Sequence, residues 1–228
     1  MAALLLVLAS VVGCGGADEQ HLMARRVNAD DKRYRGSWVY RVRMGEQQGH
    51  SEIARMNLSV DGRRFHLVAD WTAGGSARTG KREEWVSDGK YLWQMLPNRK
   101  QLNKYEPRGT ELLLFWKMPH RMSPFKAAVE IGEDGLAGRR CKVLATAGRY
   151  DQGEVTLKYW IDVDTGVLLK KEHVLMAGDL LLIHESYECQ QIQYDPAFGE
   201  EVFATGVPGD WVEVEKSSLD SELLGTKF

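Results

Sequence analysis

The sequence is short of the residues that would commit it to several common kinds of chemistry. Its 228 residues contain only three cysteines, none of them spaced as CxxC, which excludes the usual zinc and dithiol arrangements. The six histidines are scattered, with no HExxH and no His-x-His pair. No Gly-x-Ser-x-Gly elbow is present to carry an acyl-transfer nucleophile. Basic and acidic residues nearly balance at a net charge of −2 and are interspersed, so the clustered basic face that binds nucleic acid is missing. Beyond the first dozen residues no apolar run approaches the roughly 20 residues needed to cross a bilayer.

Three local patterns fit a catalytic or binding motif only in part. Gly75 to Gly80-Lys81 has the spacing of a phosphate-binding loop, but Arg82 stands where the magnesium-holding hydroxyl belongs, and Glu83-Glu84 would repel a nucleotide. Asp162-Val163-Asp164-Thr165-Gly166 begins like a calcium loop. Its glycine arrives too early, and a turn explains the residues without a metal. The adjacent acids Glu83-Glu84 and Glu200-Glu201 would point to opposite faces of a strand, so neither pair can share a proton. His173 and His184 could be neighbours across the last hairpin, without a ligand set around them. These patterns lead to a protein with no catalytic machinery, no metal and no cofactor.

What is present starts at the N-terminus. Residues 2 to 12 are apolar or small apart from Ser10 and end in Val11-Val12-Gly13-Cys14. The run is too short for a membrane span but suits the apolar core of a secretory signal. A small residue before a cysteine at the end of such a run resembles a bacterial lipobox, although Val11 replaces the preferred leucine and no basic residue precedes the run. The resemblance implies export, cleavage before Cys14, and a diacylglycerol on its thiol, with two acyl chains giving a stable anchor. Gly15, where an aspartate would favour retention at the inner membrane, points by the same resemblance to the outer membrane, with the protein facing the periplasm. The expected layout is a signal peptide over 1–13, a lipidated tether with a short helix or loop over 14–33, one β domain over 34–210, and a polar tail over 211–228.

From Ser37 the apolar pattern takes period two, the strand signal. Trp38, Tyr40, Val42 and Met44 alternate with Val39, Arg41 and Arg43, and Ala54, Met56, Leu58 and Val60 alternate with polar residues. Asp61-Gly62 predicts a hairpin returning through Phe65, Leu67, Ala69 and Trp71. Asp88-Gly89 predicts a second hairpin, from Glu83–Ser87 into Tyr91–Leu96, and Gln101–Tyr105 a further strand. The rhythm then breaks. Leu112-Leu113-Leu114-Phe115-Trp116 predicts a buried helix, apolar on all sides, and Ser123-Pro124 caps a second over about 125–129. Strands resume over 140–146, 155–162, 167–176 and 180–194, with turns at Asp164-Thr165-Gly166 and Ala177-Gly178-Asp179. The fold class is α+β: an antiparallel meander in one curved sheet wrapped round a short helical segment. In an oxidising compartment Cys141 and Cys189 permit one disulfide, but a simple meander places two strands between them. Otherwise both are buried small apolar residues.

Several stretches resemble the LolA/LolB-like lipoprotein-carrier superfamily, which includes periplasmic regulators of the RseB type. Residues 91–101 (Tyr91-Leu92-Trp93-Gln94-Met95-Leu96-Pro97-Asn98-Arg99-Lys100-Gln101) resemble its aromatic strand, proline turn and returning strand. Residues 160–170, from Trp160-Ile161-Asp162 to Leu169-Lys170, resemble its most recognisable hairpin, and Tyr194-Asp195-Pro196-Ala197-Phe198 with Val202-Phe203 its closing segment. The resemblance spans about residues 34 to 210, and the first helix usual in the carriers has no counterpart of full length here.

It implies a half-open barrel whose apolar concave face holds acyl chains of lipids or lipoproteins. By parity that face would comprise Trp38, Tyr40, Val42, Met56, Leu58, Phe65, Leu67, Trp71, Trp93 and Met95, with Leu112, Phe115 and Trp116 as the plug. The same residues could instead form a closed, densely packed core. The implied function is a non-enzymatic, lipid-anchored envelope protein binding a lipid, an acyl chain or a lipoprotein. The alternative is an RseB-like sensor that binds an envelope protein partner in stress signalling.

Overall fold

A computed structural model describes residues 32–45, 49–72, 80–97, 100–105, 128–150, 153–206 and 209–215. Twelve strands make up one sheet: β1 (Arg33–Met44), β2 (Ser51–Asp61), β3 (Arg64–Trp71), β4 (Arg82–Ser87), β5 (Leu92–Leu96), β6 (Gln101–Tyr105), β7 (Val129–Leu136), β8 (Arg139–Tyr150), β9 (Gly153–Asp162), β10 (Leu168–Ala177), β11 (Leu180–Tyr194) and β12 (Val212–Glu215). Their order across the sheet is β12-β6-β5-β4-β3-β2-β1-β11-β10-β9-β8-β7. Two meanders, β1 to β6 and β7 to β11, therefore meet along a single seam between β1 and β11. The sheet is open, with β7 and β12 as its edges, and the described residues include only one short 3₁₀ turn, Glu200–Phe203. No described helix is long and apolar enough to cross a membrane.

The turns fall where their residues require them. Gly62 takes φ 62° between β2 and β3. The Asp88 carboxylate accepts the backbone N–H groups of Lys90 and Tyr91, each at 2.7 Å, and so shapes the β4–β5 connection. Two features depart from the sequence expectations. Val129, expected to end a helix, opens β7. That strand was hidden because Glu130, Gly132, Glu133, Asp134 and Gly135 give it no apolar alternation, and Val129 and Ile131 are both 51% exposed on it. Strand β12 extends the sheet past residue 210 and pairs with β6 in parallel, the exception in an otherwise antiparallel sheet. The expected helix over 112–116 lies outside the described residues, and so does that over 125–129 up to residue 127.

The main core cluster gathers Tyr34, Trp38, Met56, Leu58, Phe65, Trp71, Trp85, Leu92 and Leu169. Trp38, 1% exposed, stands at its centre and meets Tyr34 edge to face at 6.4 Å. Gly36 makes room for this ring: a Cβ there would lie 2.8 Å from two Trp38 ring carbons and 2.5 Å from the Gln191 carbonyl oxygen. Cys141 and Cys189 join the same cluster as free thiols, with β9 and β10 between their strands as the meander requires. Burial pushes their pKa values up to about 11 and about 12 respectively, so both are inert as nucleophiles at neutral pH.

The Asp162 turn is a structural lock. Its wholly buried carboxylate accepts two hydrogen bonds from Arg139, at 2.7 and 3.3 Å, and one from the Tyr194 hydroxyl at 2.8 Å. The backbone N–H groups of Asp164 and Thr165 donate to its other lone pairs. Every lone pair direction of the carboxylate is thus answered by protein. That accounts for the Asp-x-Asp-Thr-Gly signature without a cation, and no cluster of metal-binding side chains occurs among the described residues.

Candidate functional site

Cross-strand register assigns each side chain to a face, because directly paired residues project to the same side. Trp38 pairs with Met56 and Tyr40 with Ala54; Leu58 pairs with Leu67, Val60 with Phe65 and Ala54 with Trp71. On the other flank Tyr40 pairs with Tyr187 and Val42 with Glu185. Eight of the expected residues, Trp38, Tyr40, Val42, Met56, Leu58, Phe65, Leu67 and Trp71, therefore share one face. Five are buried, whereas Tyr40, Val42 and Leu67 are half-buried.

Trp93 and Met95 do not share it. Leu67 pairs with Trp85 and Trp85 with Gln94, so the odd-numbered residues of β5 point the other way. There they pack with Val86 and Leu102, flanked by Tyr91 and Trp211. The parity could not be carried from β3 to β5 through the sequence because this end of the sheet is apolar on both sides. Trp85 is the aromatic residue the parity reading missed. Cys14, Leu112, Phe115 and Trp116 lie outside the described residues.

The opposite face across β11, β1, β2, β3 and β4 is polar. It bears a groove of about 610 Å³ whose lining includes Arg35, Asn57, His66, Asp70 and Arg82. Farther along the same side, Lys170 bridges Glu172 at 2.9 Å and Glu188 at 3.3 Å. His184 lies on this side too, 3.0 Å from His50. His173 faces the other way, because it pairs in register with Glu185 and not with His184. The two histidines are one position out of step.

A polar group interrupts the apolar face beside Tyr40. The Tyr40 ring stacks on Tyr187 at 4.3 Å, and its hydroxyl donates to Glu185 at 2.7 Å. His173 Nδ1 pairs with the other Glu185 oxygen at 3.0 Å. Burial works to raise the Glu185 pKa, but His173, Tyr40 and the nearby Lys171 outweigh it and keep the carboxylate below its ordinary range. An ionised carboxylate with both oxygens occupied is a poor general base. Lys171 pairs across the sheet with Tyr187 on one side and Tyr159 on the other, so all of these side chains rise from the aromatic face. Sequence pattern offered no signal for Lys171, which follows Lys170 and looks like half of a solvated pair.

No protein-family model and no curated protein matches the chain by sequence. Solved structures do match its fold. MucB in the MucA/MucB complex of Pseudomonas aeruginosa is similar over 82% of this chain at 21% identity and a TM-score of 0.52, and the chain spans 61% of that MucB chain. An uncharacterized conserved protein from Thermus thermophilus is similar over 87% of this chain and 99% of its own, with 12% identity and a TM-score of 0.51. Mycobacterium tuberculosis lipoprotein LppX matches more loosely, over 81% of this chain and 99% of its own, at 10% identity and a TM-score of 0.43. The likeness to the first two is one of fold.

Proposed function

We propose, with the LolA/LolB-like fold as premise, that this is a non-enzymatic envelope protein. It holds an acyl chain of a lipid or lipoprotein against the aromatic face of its sheet. The observation that carries this reading is the half-buried strip Tyr40, Val42 and Tyr187, which borders the buried Trp38, Met56, Leu58, Phe65 and Trp71. Tightly packed aromatics make a firm floor, and the strip leaves apolar surface for a chain to cover, at about 25 cal/mol per Å². Leu112, Phe115 and Trp116 would close over the chain, and Trp93 and Met95 have no part in it. Raised thiol pKa values and a fully hydrogen-bonded Glu185 support a binding role rather than a catalytic one.

The diacylglycerol on Cys14 would tether the domain, with Gly15 favouring the outer membrane as its site. Native mass spectrometry of the full chain purified from membranes, beside a Cys14→Ala form, tests both parts. Wild type should partition with membranes and the variant should be soluble, while each retains a bound lipid-sized mass displaceable by acyl probes. A domain that carries no such mass and ignores the probes refutes the binding role.

A second reading is favoured by the match to MucB, solved together with MucA: a regulatory module holding a protein segment. A stoichiometric polypeptide in place of lipid in the same spectra would select it.

A further inference from the structure

Two neighbouring polar side chains, Tyr159 and Lys171, stand on the aromatic face. The Tyr159 hydroxyl is buried, in a residue with 0% exposure, and makes no hydrogen bond. Lys171 is half-buried, and the acid whose field acts on it is Glu185. Tyr159 and Lys171 are direct cross-strand partners on β9 and β10, and such pairs hold their Cβ atoms about 5 Å apart on one face. The surroundings make this costly. Tyr159 belongs to an apolar cluster with Leu144, Leu157 and Leu175. Glu185, the nearby acid that could neutralise the lysine, is already engaged by Tyr40 and His173. Burial accordingly pushes the Lys171 pKa down from 10.5, with only the field of Glu185 opposing. A buried donor left unsatisfied, as the Tyr159 hydroxyl is, costs free energy. An unsatisfied hydroxyl with an ammonium on its register partner is complementary to an oxyanion.

We propose that Lys171 and Tyr159 clamp the anionic head of an acyl ligand, the lysine supplying the charge and the tyrosine a hydrogen bond to a carboxylate or phosphate oxygen. This rests on the acyl-binding role above and adds to it a polar end and a charge preference. The Tyr40–Tyr187 stack lies next to Lys171, so the chain of a ligand held there would run onto the half-buried aromatic strip. Tyr40 and His173 keep Glu185 occupied, which prevents it from closing the lysine off with an internal ion pair.

The test compares palmitate, lysophosphatidic acid and neutral methyl palmitate by displacement of a fluorescent acyl probe from the full chain. Wild type should prefer one or both anions to the ester by about tenfold or more, the size expected of a charge-assisted hydrogen bond. Which anion is preferred identifies the head group. Lys171→Met, which removes a buried charge and should fold, should erase that preference and leave ester binding unchanged. Tyr159→Phe should weaken anion binding several-fold and narrow the preference over the ester by the same factor, without erasing it. Equal binding of anions and ester by wild type overturns the clamp alone, as does an undiminished preference in Lys171→Met. Failure of all three ligands to bind overturns the acyl-binding role and the clamp with it.

Discussion

Replacing Asp162 with asparagine should destabilise the domain by about 3 kcal/mol at neutral pH, the lower part of the range for breaking a buried ion pair. The lower figure applies because Arg139 keeps 31% of its side chain exposed and can recover water. Asparagine preserves the shape and one acceptor, so the Asp164 and Thr165 N–H groups can still be met. Its amide nitrogen, however, would confront the Arg139 guanidinium or the Tyr194 hydroxyl, donor against donor. The effect should also carry a pH signature. Burial alone would raise the Asp162 pKa, but Arg139, Tyr194 and the two backbone N–H groups outweigh it and lower it from 3.8. A carboxylate with a depressed folded pKa contributes fully above its unfolded value and loses that contribution as pH falls through the folded one. Urea unfolding of wild type and variant should therefore converge only below about pH 4. A gap that stays constant down to pH 2 would mean the ion pair is not its source.

Trp38→Ala should cost about 4 kcal/mol, as expected for removing a large aromatic from a packed core. The ring is 1% exposed, its register partners are Met56 and Cys189, and Gly36 leaves the space beneath it. The measurement also separates two views of the aromatic face. If Trp38 were the wall of an open cavity, truncation would merely enlarge the cavity and should cost below about 1.5 kcal/mol. A full cost fixes Trp38 as floor and leaves any ligand to the half-buried strip beside it. Calorimetric or urea-induced unfolding of the ligand-free protein distinguishes the two.

Where one face of the sheet is apolar and the other polar, the sequence could be read directly. Strands β1 to β3 alternate cleanly, and Asp61-Gly62 sets the register of β2 and β3, so parity alone places all eight residues from Trp38 to Trp71 on one face. The reading failed wherever that contrast disappears. Val86, Trp93, Met95 and Leu102 bury the far side of β4 to β6, so alternation no longer marks a face and only pairing does. Strand β7, exposed and rich in acid and glycine, has almost no apolar residue to alternate. The lysine clamp was invisible for a different reason. A period of two tells where Lys171 points, but its pairing with Tyr159 and the engagement of Glu185 by other residues depend on β9 and β11 as well as on its own strand. The pairing of Tyr40, His173 and Glu185 likewise needs three strands to meet.

The seam between β1 and β11 has a consequence for the order of events during folding. Within each half of the sheet nearly every rung is a hairpin, local and quick to close. At the seam Tyr34 meets Tyr194 and Met44 meets Ile183, so each rung joins residues more than a hundred positions apart. Apart from the short β12–β6 pairing, where Val212 meets Gln101, the loop-closure entropy of the described sheet is concentrated in this one step, and folding rates fall as contacts become less local. Strand β1 begins the described sheet, yet half of its backbone bonds wait for the last long strand. Pulsed hydrogen exchange should find the β3–β4 amides protected well before the amides of β1 that face β11. Until then the Trp38 face is an unfinished surface, and an incompletely synthesised chain would present it to any chaperone that recognises exposed aromatic strands.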